Sequence, residues 1–79
     1  MTYQKFIEAW YDTVLPDKEP EIRMGQSLMI HLNEIWPEEY KRLSSVHYYA
    51  ETNIDCFYVD SLIPKTMMHL EQIWYKYPN

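Results

Sequence analysis

An all-α fold is predicted by three observations. Apolar residues recur at spacings of three and four in three separate stretches, Tyr3 to Val14, Ile22 to Trp36 and Ile63 to Trp74. Prolines stand at the edges of these stretches, at Pro20, Pro37 and Pro64, where a missing N–H suits a first helical turn. The connection LPDKEP between the first two stretches is short, which favours antiparallel packing. The expected architecture is a compact bundle of three main helices plus one short helix, with an irregular or hairpin-like segment around 45–59. All of 1–79 is read as a single small domain.

The first helix is expected from a Thr2 cap to about Leu15. Tyr3, Phe6 with Ile7, Trp10 with Tyr11, and Val14 form its apolar stripe. The second, Pro20 to Trp36, is the longest uninterrupted helical pattern and holds the only glycine of the chain. Pro20 fits its first turn, Glu19 and Glu21 complement the positive end of the helix dipole, and Pro37 ends it. Ile22, Gly25, Leu28 with Met29, Leu32 and Ile35 with Trp36 share one face. Gly25 costs roughly 0.5–1 kcal/mol relative to alanine inside a helix. Close approach of another helix, the first or the last, would recover that cost.

PEEYKRL reads as a short helix with Glu38 and Glu39 in its first turn and Lys41 and Arg42 in its last. Ile35 can staple onto Tyr40. From Ser44 the pattern is ambiguous, because Val46 to Tyr49 and Cys56 to Val59 are both rich in β-branched and aromatic residues. SSVHYYAETN continues the helix, or the two runs pair as a small hairpin, or the segment is irregular and packed by its aromatics, and the marginal stability of a lone hairpin favours the last. The last helix is capped by Asp60 or Ser61, has Pro64 in its first turn, and carries Ile63, Met67, Leu70 and Trp74 (or Ile73) as its stripe. The echo of EAW, EIW and QIW reads as each helix ending on an aromatic.

Composition narrows function. A chain of 79 residues with net charge −5 and seven scattered basic residues does not suit direct binding to nucleic-acid phosphates. No apolar run approaches the ~20 residues of a membrane span, and MTYQKFIEAW lacks a signal-peptide core, so a cytoplasmic setting is expected. The single cysteine, Cys56, excludes an internal disulfide. Eight tyrosines and three tryptophans suit both a small core and an interface.

Chemistry-bearing motifs are sparse. His31, His47 and His69 sit in no metal-ligand spacing, and the His31/Glu34 pair at i, i+3 is a weak signal, so no metal is expected. A glycine-rich phosphate loop cannot be built, and no cofactor is expected. Cys56 reads as a buried thiol. The constellation Asp55, Phe57, Tyr58, Asp60 is the one with two readings. Asp60 caps, Asp55 makes an Asx-type turn and Phe57 anchors the loop, or Tyr58 and an acidic rim are presented to a partner. Arg23 and Gln26 either bond to that loop or face the same partner.

Arg23-x-Gly25-Gln26-x-Leu28 and Thr52-x-x-Asp55-x-Phe57-Tyr58-x-Asp60-x-x-Ile63-Pro64, followed by Trp74, give residues 20 to 75 a resemblance to a group of short phage-encoded and prophage proteins without assigned function. That group favours a proline where this chain has Cys56. The resemblance implies a phage or host cytosol setting and carries no functional residue. The leading expectation is therefore a noncatalytic interaction protein that binds and modulates a larger host protein, inhibition being the favoured form, with Arg23, Gln26, Asp55, Tyr58 and Asp60 at the contact and no catalytic residue. An acidic DNA-mimic decoy and a small enzyme using Cys56 or a histidine are the alternatives. A homodimer and a monomer are equally compatible with so many aromatics.

Overall fold

The computed structural model describes residues 1–45 and 54–78, and among them all regular structure is helical. The first helix opens as α1 (Tyr3–Ala9), widens into a π turn at Trp10–Val14 and closes as α2 (Leu15–Asp17). The Thr2 hydroxyl caps it by accepting the Lys5 N–H at 3.1 Å. The helix carries on past Leu15, through Pro16. In a regular α-helix the Pro16 ring would meet the Asp12 carbonyl. Here the Leu15 N–H reaches back five residues to the Trp10 carbonyl, and the wider ring makes room.

The central helix is shorter than its pattern. α3 spans Met24–Ile35, and Pro20 and Glu21 lie in a turn closed by the Ile22 N–H on the Glu19 carbonyl at 3.0 Å. Glu19 and Glu21 thus stand outside the helix whose dipole they were expected to meet. Of its expected apolar face, Gly25, Leu28, Met29 and Leu32 are buried within α3, whereas Ile22 falls before the helix and is half-buried. α4 (Pro37–Ser44) follows with only Trp36 between, and α5 (Ile63–Ile73) enters through a 3₁₀ turn at Asp60–Leu62. No side chain caps α5, so neither Asp60 nor Ser61 does the work assigned to it there.

The core is Phe6, Trp10, Leu28, Met29, Leu32, Trp36, Leu43, Cys56, Leu70 and Trp74. Each tryptophan is the residue at which a regular α segment ends. Trp74 is the hub: Phe6 packs on it at 4.8 Å, Trp36 meets it edge-on at 5.2 Å, and Tyr77 stacks at 5.0 Å. Its indole N–H donates to the Met1 carbonyl at 2.9 Å. Truncating a fully buried aromatic costs about 3–5 kcal/mol, a large part of the about 5–15 kcal/mol that ordinarily stabilises a domain. Phe6, which has no exposed surface, is such a residue. Tyr11, expected on the apolar stripe, is instead 63% exposed and lies edge-on to the Trp10 ring at 6.1 Å.

Among the described residues, every buried side-chain nitrogen and oxygen has a hydrogen-bond partner. The Trp10 indole donates to the Ser27 hydroxyl at 3.0 Å, which donates in turn to the Met24 carbonyl at 2.6 Å. His31 stacks on Phe6 with ring centres 4.5 Å apart, and its Nε2 donates to the Phe6 carbonyl at 3.1 Å, because a carbonyl can only accept. Burial holds the His31 pKa below the usual 6.5, with the Phe6 bond and Glu34 opposing in part. Glu39, in the first turn of α4, turns inward and bridges to α5: its Oε2 lies 2.9 Å from His69 Nε2 and its Oε1 2.9 Å from Arg42 Nε.

Candidate interaction surface at the start of α3

The first four N–H groups of a helix have no partner within it. α3 begins at Met24 behind an extended Arg23, so the Gly25 N–H is one of these. Its partner comes from far along the chain. Asp60 Oδ1 accepts it at 3.0 Å across 35 residues, placing a carboxylate at the positive end of the α3 dipole. Asp60 is a helix cap, as its residue type suggests, but for the wrong helix by sequence proximity.

Gly25 is where the two segments meet most closely. A Cβ there would run into the Cys56 carbonyl oxygen, and would stand 3.0 Å from Asp60 Oδ1 and 3.1 Å from the Cys56 carbonyl carbon. The expectation that Gly25 makes room for a helix is thereby corrected. What approaches is the backbone of the loop before α5, and backbone cannot swing aside as a side chain can. The Cys56 thiol completes the contact by donating to the Gly25 carbonyl at 3.3 Å. Burial pushes that thiol's pKa up to about 11, so it is a packed donor and not a thiolate.

Around this point the loop is fixed along its length. The Thr66 hydroxyl of α5 lies against the Ile54 carbonyl and, at 3.1 Å, the Leu62 carbonyl. Asp55 Oδ1 accepts the Phe57 N–H at 2.8 Å, the Asx turn expected from the sequence. Val59 N–H closes on the Cys56 carbonyl at 3.3 Å. Arg23 Nη2 donates to the Phe57 carbonyl at 2.8 Å, and Phe57 packs against the core. Gln26 stays within α3, where its Oε1 accepts the Arg23 N–H at 3.4 Å. Residues 56–59 therefore form turns and no strand. The other arm of the expected hairpin, 46–49, lies outside the described residues.

All five expected contact residues, Arg23, Gln26, Asp55, Tyr58 and Asp60, thus gather where the loop meets α3. Arg23 and Asp60 bond across the junction, while Gln26 and Asp55 brace its two sides from within. Tyr58 is the exception: 78% exposed, it carries its ring into solvent with the Arg23 guanidinium 5.8 Å over it. Val59, next to it in the chain, is 43% exposed, and Met24, next to Arg23, is 42% exposed. The segments from Arg23 to Leu28 and from Asp55 to Asp60 are therefore the two halves of one contact.

Sequence reading missed Thr66, Cys56 as a donor, and Glu39 with His69. For Thr66 a signal existed, since it falls three residues after Ile63 and four before Leu70, on the apolar stripe. Among the described residues no group of three His, Cys, Asp or Glu side chains converges as metal ligands would. No helix among them is long and apolar enough to cross a membrane. Compared with protein-family models, curated proteins and solved structures, the chain has no match.

Proposed function

We propose that the protein is a noncatalytic interaction protein that binds and inhibits a larger protein, a host protein in the cytoplasmic, phage-type setting implied by the resemblance. Tyr58 and Arg23 are the centre of the contact. One observation supports this reading above others: an aromatic ring is 78% exposed on a loop whose backbone is bonded to α3, to α5 and to itself. A ring held this way loses little further freedom on binding, and tyrosine and arginine are the residues that most often dominate protein contacts. The buried, carbonyl-bonded Cys56 thiol and the buried His31 offer little to a chemical step. Of twelve carboxylates, Glu39, Asp55 and Asp60 are engaged inside the protein, which thins any array that would imitate phosphates.

The test is parallel capture from a bacterial host lysate on immobilised wild-type protein and on Tyr58→Ala, with circular dichroism confirming that both are folded. A protein retained by the wild type and lost with Tyr58→Ala is expected. Equal retention by both, or none across a range of salt, contradicts the proposal. Sedimentation of the free protein separates this use of Tyr58 from self-association.

A further inference from the structure

A second surface, on another flank of α3, has a chemistry of its own. Ser27 and Ile30 lie well away from Gly25 around the helix at roughly 100° per residue. There the end of the first helix and the turn into α3 frame a groove of about 350 Å³, with Val14, Ile22 and Ile30 as its apolar lining. Ser27, also on its wall, has its hydroxyl committed to Trp10 and Met24, so it asks nothing of an occupant. The groove is built in: the π turn and Pro16 set the end of the helix, and the Glu19–Ile22 bond sets the turn.

Its rim is acidic. Asp17 and Glu19 line it, Asp12 and Glu21 flank it in the chain, and all four are exposed. Lys18, the only basic residue from Trp10 to Ile22, also lines the groove and is half-buried, so the exposed charges around it are the four acids. An apolar slot sized for one large side chain, edged by carboxylates on a chain of net charge −5, selects by charge as well as shape. Nucleic acid and anionic lipid surfaces are repelled by that edge.

The geometry points to a second docking site, independent of the Tyr58 face, whose occupant is a basic peptide segment of another protein: one large apolar or aromatic anchor in the groove, flanked by Lys or Arg against Asp17 and Glu19. The anchor is desolvated against Val14, Ile22 and Ile30. The flanking cations steer approach and fix register, and contribute less to the affinity.

The test is an NMR titration of ¹⁵N-labelled protein with two short synthetic peptides, one with a tryptophan flanked on both sides by lysines and its twin with glutamates instead. The lysine peptide is expected to shift the Val14, Ile22 and Ile30 amides, and the glutamate peptide to leave them unmoved. Ile30→Asn, at a position already 39% exposed, should weaken binding by roughly fivefold to tenfold. Asp17→Lys with Glu19→Lys should exchange the preference between the two peptides. Shifts confined to other residues, no shift at saturating lysine peptide, or equal response to both peptides overturns the proposal.

Discussion

Asp60 Oδ1 accepts the Gly25 N–H at 3.0 Å, so the start of α3 is capped by a residue that enters the fold just ahead of a different helix. Helix start and loop order together, and each lacks a partner without the other. Asp60→Ala is expected to cost about 0.5–2 kcal/mol, the range of a lost N-cap, while Asp60→Asn, which keeps an acceptor, should cost less. Urea unfolding followed by far-UV circular dichroism checks both, and equal midpoints for wild type and Asp60→Ala would contradict the cap.

Gly25→Ala is the sharper packing test. Helix propensity alone would make the change stabilising by up to about 1 kcal/mol. The Cys56 backbone stands where the new Cβ must go, so a net destabilisation of about 1–3 kcal/mol is expected instead. A raised Tm for Gly25→Ala would show that the loop does not approach the helix as described.

The sign of the His31 effect follows from its lowered pKa. As pH falls through ~6.5 the unfolded chain takes up the proton, while the folded protein resists until lower pH. The unfolded state then binds more protons, so this contribution to stability is complete above that value and is lost as pH falls through the folded pKa. Unfolding midpoints measured from about pH 7.5 down to about pH 5.5 should fall more steeply for wild type than for His31→Gln. Parallel curves would show that His31 is not held neutral.

How much of this could be read beforehand depends on the range of the interaction. Apolar spacing marked Phe6, Trp10, Leu28, Leu32 and Leu70 as core because a helix face is a local property of the chain. The Asp55 turn was legible for the same reason, its two partners being two residues apart. Asp60 was recognisable as a cap by type, but its partner was not, since nothing near it names Gly25. The true start of α3 was lost with it: Pro20 and two glutamates imitate a helix N-terminus, and only the distant cap shows that the helix starts at Met24. Glu39 reads locally as a solvated first-turn acid, and His69 supplies the reason it is buried from 30 residues away.

That bridge separates two residues that look alike on paper. Glu39 has a side chain only 4% exposed, whereas Arg42 is 64% exposed. Glu39→Ala leaves His69 without its partner in the α4–α5 contact and is expected to cost about 1–3 kcal/mol. Arg42→Ala removes a surface pair worth about 0.5 kcal/mol. Thermal unfolding of the two variants side by side checks this, and equal losses would contradict the inward placement of Glu39.

Cys56 is expected to resist modification. With no exposed surface and a pKa near 11, it should react with a thiol reagent at neutral pH about a hundredfold or more slowly than in urea-unfolded protein. Comparable rates in the two states would place the thiol outside the Gly25 contact.

The most direct measurement is hydrogen exchange at the Gly25 amide, which is easily found because the chain has one glycine. An N–H in the first turn of an uncapped helix exchanges readily with water. Bonded to Asp60 beneath the Cys56 backbone, the Gly25 amide should instead be protected to the level of the core, and Asp60→Ala should abolish that protection while leaving Leu32 protected. A Gly25 amide that exchanges freely in the wild type would contradict the central claim that the loop before α5 and the start of α3 are one structural unit.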